Sequence, residues 1–576
     1  MSNWYVRPAG GSYGDEDGTS YADAWDGLNN VVWGTGGVIA GDTLYICGFH
    51  LHNMTTFSTS YCRLYPPTGT DESHRVTIRG DYPGDPGIVW GAYLMNYDSW
   101  ASEGSNVYSI VLPADQGDED YYFEDITSSS WTVLAKKASL AECQSTAGSY
   151  YSPDYKNGSK FYVHCSDNGL PTGRISLPWF GWNCNCRNVA YHTYLNLKYY
   201  AYSWLGDAVD YSHHMKWDGC TSWYGKYAMI TLYDNCNYFD VRNCDIGWAG
   251  NGIYNISNTD NGAPDNYIFK DNYIHDVGIT NFNRNNDEHG IGIQGGHDGL
   301  IEGNHLQRCG NSILLYAFTD QELRNTIVRY NWVEDAHLPQ DASESIGIST
   351  QCNTDSLSDK SGNQFYYNIV VGNPGPGFRF QFEDEQLAYN NVAINCDRSF
   401  VSERSSGTIG PHIKARNNIS YNPTHYHVEY DSSDTDIECD YDYNIYYPIG
   451  TNTFVHNSQE KTFAQWKSEM SCDSHSLESN PLFVNGSGVF DYDTDVKIQP
   501  DSPAKDAGTG VGLAEDYFGN SVPYNLIPDI GVHEYSGEGL SISAGAGSYL
   551  IVGPNLSLEK TGVSPKIQLK HMAIRQ

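Results

Sequence analysis

The sequence predicts an all-β fold, a parallel β-helix solenoid, and three observations carry the prediction. From about residue 190 to 450 a short β-rich run ends repeatedly in Asn: Asn243, Asn272, Asn304, Asn331, Asn368, Asn391, Asn418 and Asn444 follow one another at intervals of 23 to 37 residues. Between successive Asn positions lies a second run, as in Gly290-Ile291-Gly292-Ile293-Gln294, Ser312-Ile313-Leu314-Leu315-Tyr316 and Gly377-Phe378-Arg379-Phe380-Gln381. Apolar residues there alternate with small or polar ones, the period of a strand with one buried face. The third observation is size: 576 residues exceed the roughly 250–300 at which one compact core stops growing. The chain is therefore several domains or one elongated repeat, and the recurring Asn selects the repeat. That Asn fits the bend between strands, where it tolerates left-handed backbone and ladders from coil to coil.

Taken in order, residues 1–92 read as an N-terminal cap and first coils. Residues 93–190 break the rhythm: Trp131-Thr132-Val133-Leu134 and Lys160-Phe161-Tyr162-Val163-His164 are strand-like pieces between polar turns, so an inserted β-rich subdomain is expected. Residues 191–536 are the main parallel β-helix with its closing coils. Residues 537–576 differ in composition. Leu540-Ser541-Ile542-Ser543, Tyr549-Leu550-Ile551-Val552 and Ile567-Gln568-Leu569 read as antiparallel strands, and Lys560, Lys566, Lys570 and Arg575 outnumber Glu538 and Glu559. A module for attachment to virion proteins, or for a homo-oligomer, expected to be a trimer, is the reading for this tail.

Composition narrows the partners. With 39% hydrophobic residues and 46 tyrosines the chain can bury a large core, which excludes disorder. A net charge of −37 excludes a nucleic-acid partner, whose affinity rests on Lys and Arg neutralising phosphates. The same field repels an anionic polysaccharide unless a basic patch or a cation intervenes. No stretch approaches the roughly 20 apolar residues of a membrane helix, and Met1-Ser2-Asn3-Trp4-Tyr5 opens with no signal peptide visible. The expected location is extracellular or on a virion surface, without membrane insertion. The 14 cysteines are scattered, only Cys184 and Cys186 sit close together, and zinc spacing is absent; buried small hydrophobes are expected, with some disulfides open.

Three N-terminal segments, Tyr5-Val6 to Trp25-Asp26-Gly27, Gly41-Asp42-Thr43-Leu44-Tyr45 and Val76-Thr77-Ile78-Arg79-Gly80-Asp81-Tyr82-Pro83-Gly84, resemble the first coils of right-handed parallel β-helix proteins of the pectate-lyase-like superfamily. Asn480-Pro481-Leu482-Phe483-Val484, Ser502-Pro503-Ala504-Lys505-Asp506-Ala507-Gly508 and Asp529-Ile530-Gly531-Val532-His533-Glu534 resemble its closing coils. The resemblance spans roughly residues 4–535 and implies a right-handed coil. The superfamily holds polysaccharide lyases, glycoside hydrolases, epimerases, phage tailspikes and non-catalytic fibres, so fold alone does not choose among them.

Enzymes of that family work on the groove of one sheet. If Ile291, Ile293, Ile313, Leu315, Ile346, Ile348, Phe378 and Phe380 point inward, alternation puts Gln294, Leu314, Tyr316, Ser349, Arg379 and Gln381 outside. Gln294, Tyr316 and Gln381 are the expected substrate-binding residues. For hydrolysis two carboxylates are needed. The acid candidates are Glu288, preceding a strand with His289 beside it, then Glu344, and Glu383 and Glu403 further along the row. A lyase needs a base and a cation to neutralise a uronate, which Arg379 and Arg404 near Glu383 and Glu403, or Lys216 beside His213-His214, would supply. The calcium-dependent alginate- and chondroitin-lyase branches use a Lys/Arg pair beside an Asn/Glu cluster, a pattern this sequence does not reproduce residue by residue. No metal ligands or cofactor are assigned, and Ca²⁺ stays open: Asp15-Glu16-Asp17-Gly18-Thr19-Ser20 reads as an acidic turn because Asp26 stands where an EF-hand has Glu. The Asp431–Asp442 run reads as a solvated loop, and His275, His289, His297 and His305 as coil-edge residues.

The expected function is a phage spike- or fibre-like β-helix that binds, and on the enzymatic reading degrades, host-surface polysaccharide. A secreted polysaccharide lyase or glycoside hydrolase and a non-catalytic virion fibre are the alternatives.

Overall fold

The computed structural model describes the chain except for residues 55–63, 96–98, 113–121, 127–130, 178–181, 186–187, 209–211, 233–235, 256–262, 279–287, 318–320, 338–344, 353–358, 405–410, 432–438, 487 and 538–576; at residues 52–54, 93, 177, 182–185, 203–208 and 226–227 it describes the backbone alone. Met1–Tyr535 form one compact unit. The tail strands expected beyond residue 537 lie outside the described residues.

Each coil passes through three sheets. The first has fourteen strands among the described residues, running from Trp25–Asp26, beside Asn3–Arg7, to Cys439–Asp442. A tight corner leads to the second, which includes Tyr273–Val277, His305–Cys309, Trp332–Glu334, Ile369–Val371, Val392–Ile394, Ile419–Tyr421 and Ile445–Tyr447. A connection of variable length, Gly310 alone between His305–Cys309 and Asn311–Ala317, leads to the third, which includes Asn251–Asn255, His289–Gln294, Asn311–Ala317, Ile348–Cys352, Pro376–Phe380, Arg398–Glu403, Tyr426–Asp431 and Phe454–His456. Successive coils pair in parallel and in register: Phe269, Ile301, Val328, Phe365, Ala388, Ala415 and Tyr441 stack in the first sheet, and Ile291, Ile313, Ile348, Phe378, Phe400 and Val428 in the third. These inward residues are almost fully buried and fill the interior, as the alternation predicted. The coil is right-handed.

The corner between the first and second sheets holds the Asn ladder. Asn304, Asn331, Asn368, Asn391, Asn418 and Asn444 each accept, through Oδ1, the Nδ2 hydrogen of the Asn one coil before, beginning with Asn272 to Asn304 at 2.9 Å and ending with Asn418 to Asn444 at 3.2 Å. Two details differ from the sequence reading. The left-handed residue is the one before the ladder Asn, namely Asn243, Asp271, Gly303, Tyr330, Tyr367, Asn390, Asn417 and Tyr443. Asn243 is therefore a bend residue, and Cys244 takes the ladder place, its N–H donating to Oδ1 of Asn272 at 3.0 Å. The ladder residue is left free to point inward because its neighbour makes the turn.

Ten of the eleven described free cysteines are buried and Cys439 is half-buried, in line with packing as small hydrophobes. Between Val76–Arg79 and Ala190–Leu195, which pair directly in the first sheet, the chain builds a separate five-stranded sheet that includes Val107–Val111, Ser149–Tyr151 and Lys160–His164. Its own core gathers Ile110, Tyr122, Tyr150, Phe161 and Val163.

Helix Phe463–Met470 starts on a Thr462/Gln465 capping box and lays Phe463, Trp466 and Met470 over the open end of the interior against Phe454. The segments that resemble closing coils do not add further coils. Residues 481–535 run back over the outer face of the second sheet, where Phe483, Phe490, Val496, Ile498, Ile530 and Val532 pack on Ile369, Val371, Val392, Ile394, Ile419 and Ile445. Those strands carry apolar residues on both faces, and a face of that kind has to be covered. The bend residues pin this strap: Asn390 Nδ2 donates to the Gly531 carbonyl at 2.7 Å and Asn417 Nδ2 to that of Thr509 at 2.8 Å.

Candidate functional site

The outer face of the third sheet carries one outward side chain per coil at each register position. Gly292, Leu314, Ser349 and Arg379 form one such row, continuing to Val401 and Glu429. Gln294, Tyr316 and Gln351 form the next; Gln381 follows Arg379 by the same two residues, and Glu403 pairs onward with Asp431. Coils stand about 4.8 Å apart, so this second row is a line of amide, phenol and carboxylate groups.

Four of these side chains close a network across three coils. Arg379 Nη2 donates to Gln351 Oε1 at 3.2 Å, and its Nη1 lies 3.8 Å from Glu403 Oε1. Gln381 Nε2 donates to the same Glu403 oxygen at 2.9 Å. The Arg379 side chain is buried, whereas that of Glu403 is 29% exposed, so solvent reaches the carboxylate and not the guanidinium. Glu383 follows Gln381 by two residues, its side chain 10% exposed. Its Oε2 is 3.4 Å from Nζ of the fully buried Lys360, and Cys352 Sγ donates to its Oε1 at 3.7 Å. Cys352 Sγ is also 3.3 Å from the Gln381 carbonyl, so Gln381 and Cys352 connect the two glutamates.

The remaining predicted residues are placed differently. In the same row, Tyr316 lies one coil before Gln351 and Gln294 one coil before that, with Gln294 Nε2 donating to Gln321 Oε1 at 3.2 Å. Glu288 is buried at the corner before the third sheet, against Gly278. His289 is buried as well; its ring lies over Gly292, whose missing side chain makes the room, and beside Tyr254. Burial pushes its pKa down to about 3, so it stays neutral above that pH. Arg404 follows Glu403 at the strand end. Glu344 lies outside the described residues.

Sequence reasoning missed Gln351, although it stands two residues after Ser349 in the same alternation, and Lys360, which no periodicity marks. It also missed a polar and aromatic stripe on the second sheet. There Asp245 Oδ1 accepts from Trp223 Nε1 at 3.0 Å and lies 3.1 Å from His275 Nε2. His275 Nδ1 is 2.8 Å from Asp276, which receives both arms of Arg308 at 2.6 and 2.7 Å. Burial pushes the His275 pKa down, but Asp245 and Asp276 together outweigh it and leave it raised. Burial likewise raises Asp276, but His275 and Arg308 win and draw it to about 2. Every polar group named here is paired within the stripe, and Trp248 closes over His275 edge-on at 4.6 Å. Among the described residues no group of three or more His, Cys, Asp or Glu is placed to hold a metal ion.

Neither a protein-family model nor a curated protein matches the chain. Among solved structures it is similar to XylC in complex with xylose, at 10% identity over 84% of this chain and 87% of that one, with a TM-score of 0.47. It is similar also to pectate lyase Pel9A, at 12% identity over 93% and 96%, TM-score 0.31, and to the gp61 tailspike of Pseudomonas phage phi297, at 10% identity over 72% of each chain, TM-score 0.26. The three-sheet coil, its parallel register and the Asn-laddered corner make this chain a right-handed parallel β-helix.

Proposed function

We propose that the outer face of the third sheet binds a polysaccharide outside the cell that made the protein, and that Glu403, with Glu383, cleaves it hydrolytically. The observation that carries this reading is the row Gln294, Tyr316, Gln351, Gln381 and Glu403, one polar side chain per coil, of which Tyr316, Gln351 and Glu403 are the more exposed, with Arg379 joining Gln351 to Glu403 and Gln381 bonded to Glu403. In two-carboxylate hydrolysis one group protonates the leaving oxygen and the other activates water or attacks the sugar. The exposure of Glu403 suits contact with substrate, and Lys360 holds the Glu383 carboxylate in place. A net charge of −37 favours a neutral glycan over a free polyuronate.

The proposal extends to a spike-like or secreted protein whose residues 537–576 attach it or assemble a trimer. The test is a panel of neutral and acidic surface glycans read for binding and for new reducing ends, with wild type beside Glu403→Gln. Cleavage lost in the variant, with binding and thermal stability kept, supports hydrolysis. Unsaturated products from an acidic glycan point to a lyase instead, and silence across the panel points to a structural fibre.

A further inference from the structure

The last coil ends in a pair of thiols. Cys439 opens the last strand of the first sheet, Cys439–Asp442. Cys472 follows the cap helix, where the chain returns as the start of one more turn: Asp473 N–H donates to the Tyr441 carbonyl at 2.7 Å, Leu477 N–H to that of Asn444 at 2.8 Å, and Ile445 bridges Leu477 in parallel. The same stretch finishes the ladder, Asn444 Nδ2 donating to Asp473 Oδ1 at 3.2 Å and Asn444 N–H to Ser476 Oγ at 2.8 Å. Cys472 therefore sits one coil above Cys439, and their Sγ atoms are 3.1 Å apart. The residues between them comprise Ile445–Tyr447, Phe454–His456, Gln459–Lys461 and helix Phe463–Met470, which is the rest of the last coil and the cap helix.

We infer that Cys439 and Cys472 are an oxidative modification site whose disulfide staples the cap to the last coil once the protein meets an oxidising environment. A solenoid frays from its ends, because a terminal coil has a neighbour on one side only. A bond that closes a loop around the cap removes the open conformations available to that end. The chemistry needs a small disulfide as oxidant, such as oxidised glutathione. The thiolate of Cys439, the more exposed of the two, attacks one of its sulfurs and releases one small thiol. Cys472, as thiolate, then attacks the mixed disulfide and releases the second. Two protein thiols thus lose two protons and two electrons, and the small disulfide gains them. In a reducing cytosol the pair stays open, so the staple marks the protein that has left it.

The full-length chain, incubated with and without oxidised glutathione, is denatured in acid, alkylated and mapped by mass spectrometry. The expected result is one cross-linked peptide pair joining Cys439 to Cys472, with both residues alkylated only after reduction, and a melting midpoint a few degrees higher in the oxidised chain. Cys439→Ser is expected to lose that rise, while Cys143→Ser, in the inserted subdomain, keeps it. Full alkylation of both residues after oxidation of the wild type overturns the inference without reliance on any variant, and so does a cross-link that leaves the melting midpoint unmoved.

Discussion

Asn331 donates its Nδ2 hydrogen to Oδ1 of Asn368 at 2.9 Å, 37 residues away along the chain and one coil away in space. Its second Nδ2 hydrogen goes to the Ile301 carbonyl at 3.0 Å, and its Oδ1 receives both the backbone and side-chain N–H of Asn304 at 3.0 Å. Asn331 is fully buried. Replacing it with Leu strands several buried polar groups, each costing about 1–3 kcal/mol. The expected loss is about 3 kcal/mol or more, read as a lower midpoint in denaturant, with Asn243→Leu, at an exposed bend position, costing less.

Arg379 reaches Gln351 and Glu403 through separate nitrogens of one planar group. Arg379→Lys keeps the charge and loses that fork. Roughly tenfold weaker glycan binding is expected, corresponding to about 1.4 kcal/mol, with the circular dichroism spectrum unchanged. Binding by titration calorimetry checks it.

The strap is fastened by buried carboxylates that accept backbone N–H groups. Glu534 takes those of Asp529 and Tyr524, and Asp529 those of Asp506 and Tyr535. Burial raises both, Glu534 to about 7 with repulsion from Asp529 and Asp516 added, and Asp529 to about 6 with repulsion from Asp506 added. Groups raised in this way stabilise the folded state fully below their unfolded pKa, near 4, and that contribution is lost as pH rises through 6 to 7. Amide hydrogen exchange in residues 505–535, corrected for intrinsic rate, should be slower at pH 5 than at pH 8.

The opposite limb belongs to histidine. Burial holds His50, His192, His427 and His533 down to about 4. Their contribution is present above about 6.5 and is lost as pH falls through 4. Melting midpoints measured across pH 3 to 9 should therefore fall steeply below pH 5, and His427→Gln should blunt the acid limb.

Gly531 is left-handed, with φ of 96°, and a Cβ there would stand 2.5 Å from Ile419 Cδ1. Gly531→Ala combines backbone strain of about 1–3 kcal/mol with a clash against the second sheet. The strap should lift, seen as early proteolytic cleavage within residues 481–535 while the coils stay intact.

Much of this was legible in the sequence, because a solenoid repeats its physics. The Asn period marked the ladder, and alternation around Arg379 and Gln381 placed them outward. The bend position was hidden, since residues as unlike as Gly303, Tyr330 and Asn417 share it and only backbone geometry unites them. Lys360 was hidden because its partner Glu383 lies on the next coil. The strap was read as closing coils from the resemblance of Asn480–Val484, Ser502–Gly508 and Asp529–Glu534 to such segments; the informative signal was elsewhere, in Ile369-Val370-Val371 and Val392-Ala393-Ile394, too apolar for a face open to water.

The ladder also separates two kinds of evolutionary freedom. Its rungs recur at every coil, yet the chain spent between them varies from 23 to 37 residues, so length is absorbed outside the corner. Insertions and deletions in the variable connections therefore change what borders the third sheet without shifting any strand register. One scaffold can be re-edged while its interior stays untouched, and grafting new connections onto these coils is a practical route to a different outer surface.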